Sequence, residues 1–194
     1  MKRLFLPACA WFAIMTLPAL AHPGHGSSEG FLSGFWHPFT GLDHVLAMVA
    51  VGVWAAMRGG PALWAWPGAF VGAMTAGFAL AVNGVVLPLY EPIILASLIG
   101  LGLAIMLGLR MPMVAGAAMV GAFGLFHGYA HGIEIVGSAV PFAAGFLAAS
   151  IVLHATGMVL TVFAQQIRET APLRVSGAAI ALAGIALPML EYVR

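Results

Sequence analysis

The chain has very little charge. Asp, Glu, Lys and Arg together make up 7% of its 194 residues, where soluble globular chains carry about a quarter. With 62% hydrophobic residues beside that deficit, it reads as an integral membrane protein whose first partner is the lipid bilayer. Net charge is only +1 and no run of like charge occurs, which argues against nucleic acid as a partner. No Walker phosphate loop or other nucleotide-binding signature is present, so this chain contributes no ATP-binding domain. Thiols are scarcer still: Cys9 is the one cysteine.

Cys9 falls inside "MKRLFLPACAWFAIMTLPALAHPGHG". Lys2 and Arg3 form a basic start, residues 4–20 an apolar core, and Ala19-Leu20-Ala21 a small-x-small cleavage site. Residues 1–21 therefore read as a secretory signal peptide. Cleavage after Ala21 would remove the only thiol, excluding disulfides and thiolate ligation in the mature chain.

Apolar runs long enough to cross a bilayer, about 17 to 25 residues each, fall at 37–57, 63–86, 93–109, 113–133, 141–163 and 174–191. The expected fold is an all-α membrane protein: a cleaved signal peptide, a histidine-containing periplasmic segment at 22–36, and a six-helix transmembrane bundle over 37–194. Arg58, Arg110, Arg168 and Arg174 occupy alternate loops, and basic loops accumulate on the cytoplasmic side. A cleaved signal independently puts the mature N-terminus outside. Trp36, Tyr90, Tyr129 and Tyr192 are expected in an outer aromatic belt, and Trp54, Trp64 and Trp66 in an inner one. Small residues recur at Gly124, Gly128 and Gly132 and at Gly100, Ala104 and Gly108. Such stripes allow close helix approach, and they nominate the third and fourth spans as the tightest pair.

Against this background the polar residues stand out: His37, Asp43, His44, Asn83, His127, His131, Glu134 and His154. Ionisable groups are expensive in lipid and default to a functional reading; Asn83 and His154, being isolated, are equally explained by bonds to neighbouring backbone. In "FHGYAHGIE", residues 126–134, His127 and His131 stand four apart on one helix face, and Glu134 continues it. That spacing offers two imidazoles and a carboxylate to one metal ion.

A second cluster is "HPFTGLDH", residues 37–44. In a straight helix His37 and His44 are separated by ~10 Å along the axis, too far for one ion with metal–nitrogen bonds of about 2.1 Å. Either Pro38 and Gly41 make the helix start irregular and fold His37 back, or the helix holds two successive sites. In the expected topology both clusters lie toward the outer face, Asn83 at similar depth, and His154 near mid-membrane. Imidazole and carboxylate without thiolate suit divalent nickel, cobalt, zinc or iron. The methionines, Met48, Met57, Met74 and Met106 among them, form no cluster with the histidines and read as packing. "HPGHG", with His22 and His25, is either a metal-collecting arm or a disordered terminus.

Together, "HPFTGLDH" and "FHGYAHGIE" resemble the HupE/UreJ family of bacterial nickel and cobalt permeases, over nearly the whole chain. The resemblance implies a non-enzymatic permease of the bacterial inner membrane that takes up nickel for hydrogenase or urease maturation. It also implies that His37, Asp43, His44, His127, His131 and Glu134 carry the motif roles, with nickel or cobalt as transported substrate and no tightly bound cofactor. Two other functions use the same residues: a membrane zinc metalloenzyme with an activated water, and a haem carrier with axial histidines.

Overall fold

The computed structural model describes residues 27–192. The signal peptide with Cys9, the pair His22 and His25, and Arg194 lie outside the described residues. Among the described residues the chain is all helical: α1 (Ser27–Trp36), a 3₁₀ turn (His37–Thr40), α2 (Leu42–Arg58), α3 (Ala62–Val82), α4 (Tyr90–Leu107), α5 (Met113–Ile133), α6 (Ala139–Gln166) and α7 (Ala171–Tyr192).

Helices α3 to α7 are each long and apolar enough to cross a membrane, and α2 makes a sixth span only together with the bent segment before it. The first expected span differs at its start: the α-helix begins at Leu42 rather than at residue 37. Pro38 has no N–H to donate and favours a first helical turn, while Gly41 is extended at φ −107° and ψ 117°. The chain therefore turns through 86° between residues 30–40 and α2. Ser27–Trp36, within the segment assigned to the periplasmic N-terminus, is helical and packs on α6: a Cβ at Gly34 would collide with the Phe142 carbonyl.

Glycine sets the helix pairing. Gly124, Gly128 and Gly132 of α5 lie against the backbone of Phe70, Met74 and Phe78 of α3, and Gly77 of α3 against Leu125 of α5. The stripe on the fourth span thus grips the second span, not the third as its own stripe suggested. On α4 it is Gly102, outside the Gly100/Gly108 row, that meets a backbone, that of Gly177 and Ala181 on α7. Gly52 and Gly157 similarly bring α2 and α6 together. With apolar lipid outside, such backbone approach is what holds membrane helices to one another.

α2 runs through the middle of the bundle, with Ala47, Met48, Ala50, Val51 and Trp54 fully buried. Trp54 and Trp66 are not belt residues: they pack on each other at 4.3 Å between ring centres and are fully buried. Each satisfies its indole N–H, as buried tryptophans must: Trp54 donates to Leu109 O in the α4–α5 connection at 3.0 Å, and Trp66 to Met113 O at the start of α5 at 3.1 Å. Tyr129 is also buried, whereas Trp36 and Trp64 are exposed as a belt requires. Met48 and Met74 are core side chains.

Candidate metal site

The start of α2, the end of α5 and the start of α6 converge at one end of the bundle, and the histidines lie there. Helical spacing puts His127 and His131 on one face of α5, and the glycine row beside that face draws it into the interior, where both rings are fully buried. The break before α2 then brings His37 back: its ring centre lies 5.1 Å from that of His131, and its Nε2 lies 3.0 Å from Glu134 Oε2. His44, in the first turn of α2, places its ring centre 4.5 Å from His131 and 4.9 Å from His127. Of the two geometries open for "HPFTGLDH", the irregular start is the one present.

One nitrogen from His37, one from His131 and one oxygen from Glu134 all lie within 4.8 Å of one another. Two ligands of one ion with bonds of about 2.1 Å stand at most ~4.2 Å apart, so the trio would need to draw in by only a few tenths of an ångström to share a cation. Asp43 is arranged differently. Its Oδ1 meets His44 Nδ1 at 2.9 Å, so the carboxylate accepts the His44 Nδ1–H and leaves Nε2 as the lone-pair nitrogen, the usual role of a carboxylate behind a ligating imidazole.

Burial grades along the cluster. The Glu134 side chain is 52% exposed, His37 19% and His44 9%, whereas His131 and His127 are at 0%. Phe142 and Phe146 wall the His131 end, with ring centres 5.2 Å from His37 and 4.8 Å from His131 respectively. His44 Nε2, His127 Nδ1, both nitrogens of His131 and both of His154 are buried without a protein partner. Each unsatisfied buried polar atom costs roughly 1–3 kcal/mol, and six such nitrogens on four rings are what a cation-binding ligand set leaves open when no ion is bound.

His154 and Asn83 both stand apart from this cluster. His154, 2% exposed, does not touch the other histidines directly: the Phe70 ring stands between, 5.2 Å from His154 and 5.5 Å from His127. Asn83 caps the end of α3, where it is exposed and its Nδ2 donates to Ala79 O at 2.8 Å; nothing ties it to the cluster. Sequence reading missed Phe70, Phe142 and Phe146, because an aromatic is unremarkable within an apolar span. It also missed Ser97, whose hydroxyl lies 3.0 Å from His127 Nε2; its signal was a lone hydroxyl in the most apolar stretch of α4. A cleft at the opposite end of the bundle is lined by Arg110 and Arg174, and two guanidiniums make it unsuited to a cation.

Imidazole and carboxylate are the ligand types that borderline divalent cations favour, and this graded arrangement sets them in succession rather than in one closed cage. The family described as HupE / UreJ protein matches residues 10–187. Protein HupE of Rhizobium leguminosarum bv. viciae is 43% identical over 178 residues, covering 90% of this chain and 93% of that protein. No solved structure matches the chain. With the family match spanning nearly all of the described helices and both histidine motifs, the chain belongs to the HupE/UreJ family, a family of membrane metal transporters and not of enzymes.

Proposed function

We propose that the chain is a secondary permease that takes up divalent nickel, or cobalt, across the bacterial inner membrane and supplies hydrogenase or urease maturation. The observation that carries this reading is the graded burial of one ligand series, from exposed Glu134 through His37 to the enclosed His131, His44 and His127. The histidine end faces the periplasm and the arginine-bearing connections face the cytoplasm, following the positive-inside rule. Glu134 and Asp43 lower the electrostatic cost of bringing a divalent cation to the bundle. The imidazoles then exchange for its waters one after another. Each station holds the ion weakly enough to release it, as conduction requires. This chain brings no ATP-binding domain of its own, and an inside-negative membrane potential favours cation entry by about 2.3 kcal/mol per charge per 100 mV.

The test is purified protein in sealed vesicles that enclose a fluorescent metal chelator. Quenching on addition of nickel or cobalt, dependent on the protein and faster with an inside-negative potential, is the expected result. A purified protein that retains stoichiometric zinc through chelation, with no flux into the vesicles, would contradict it.

A further inference from the structure

Ser97 belongs to neither histidine motif and sits on α4, yet it is fully buried and its Oγ makes two short contacts. One is 2.6 Å to the carbonyl oxygen of Ile94, and the other is 3.0 Å to His127 Nε2. A hydroxyl has a single proton. Two oxygens at 2.6 Å need that proton between them, so Ser97 donates to Ile94 O and has only lone pairs to offer His127. The Nε2 of His127 must then carry the hydrogen and donate it to Ser97. In a neutral imidazole that leaves Nδ1 as the lone-pair nitrogen, and Nδ1 is the atom of His127 that is buried with no partner.

The neighbouring ring is set in the same way from its other edge. Asp43 accepts the Nδ1–H of His44, and His44 Nε2 is the free buried atom. The two rings meet edge to face with centres 4.9 Å apart. We propose that Ser97 is a positioning residue: it holds His127 in the Nε2–H tautomer and so presents His127 Nδ1, beside His44 Nε2, as an inner imidazole station for a borderline divalent cation, beyond the outer group of His37, His131 and Glu134. This rests on the reading of the path as a metal route. Burial gives the arrangement its force, since no water reaches Ser97 to take over its role.

The experiment has two readouts on the metal-free and the nickel-titrated protein in lipid nanodiscs, for wild type, Ser97→Ala and Ser97→Thr. Nitrogen-15 spectra of histidine-labelled protein report the His127 tautomer, its signals assigned by their loss in His127→Asn. The expected result is Nε2–H in wild type and Ser97→Thr, and loss of that preference in Ser97→Ala. Nickel affinity is expected to fall by about 10- to 100-fold in Ser97→Ala, the usual effect of removing the group behind a metal-binding histidine, and to stay within a few-fold of wild type in Ser97→Thr. An Nδ1–H tautomer in wild type overturns the proposal without reference to any variant's folding. So does a correctly folded Ser97→Ala that keeps both the tautomer and the affinity. The tautomer is read without metal, so failure of the permease reading, seen as no nickel binding by wild type, is distinguishable from failure of the Ser97 assignment.

Discussion

The imidazole of His37 and the carboxylate of Glu134 meet at 3.0 Å across 97 positions of sequence, joining the break ahead of α2 to the residue that ends α5. Each half of the proposed path is short, and this contact makes them one. Glu134 is the more exposed partner, placed to attract a cation before any water is lost. In Glu134→Gln the concentration for half-maximal nickel uptake should rise by about tenfold, the scale on which local charge concentrates a counter-ion. Initial rates over a nickel concentration series check this.

Ligation uses the imidazole lone pair, and protons compete for it. Uptake should therefore fall as the medium is acidified from about pH 7.5 to about pH 5.5. A proton on an imidazole occupies the electron pair that the ion needs, so the sign is loss on the acid side. Rates measured at fixed free nickel and fixed membrane potential test it; a flat profile from an intact protein counts against imidazole ligands.

Gly41 marks where the 3₁₀ turn passes into α2. At φ −107° alanine is sterically allowed, so Gly41→Ala should fold. Its Cβ, however, would stand 2.7 Å from Asp43 Oδ1 and 3.0 Å from His44 Nδ1, forcing apart the pair that orients His44. Uptake should drop by about tenfold or more, on the scale of a lost supporting contact, at unchanged protein level and melting temperature.

How far these features could be read from sequence follows from the physics of each. His127, His131 and Glu134 were legible as a set because helical periodicity alone puts them on one face. The position of His37 was not, since Pro38 and Gly41 announce an irregularity but not its 86° bend. Apolar length shows the five long spans and the apolar run of α2, but not how they pair: a stripe such as Gly124, Gly128 and Gly132 says that something comes close, not which helix does. Trp54 and Trp66 were expected in a belt, yet their indoles are turned inward by carbonyls distant in sequence, those of Leu109 and Met113, a choice no local pattern encodes. Ser97 stood out only as a hydroxyl in an apolar span; its link to His127 did not, that partner being 30 residues away.

The α3–α5 seam gives a direct stability test. A methyl group at Gly128 would overlap the Met74 carbonyl oxygen, whereas one at Gly72, also in a helix, meets nothing within 4 Å. Gly128→Ala should destabilise the detergent-solubilised protein by about 1–3 kcal/mol, as overpacking does. Gly72→Ala should be neutral or stabilising by up to about 1 kcal/mol through helix propensity. Thermal unfolding of the pair separates the two.

The central claim is that both histidine motifs serve one metal path. Its most direct test is radio-nickel uptake at nanomolar concentration in cells lacking their own nickel transporters, comparing wild type, Asp43→Ala and His131→Ala at equal membrane abundance. Uptake by wild type and by neither variant is the predicted result. Uptake retained in either variant, or none in a well-expressed wild type, would contradict it.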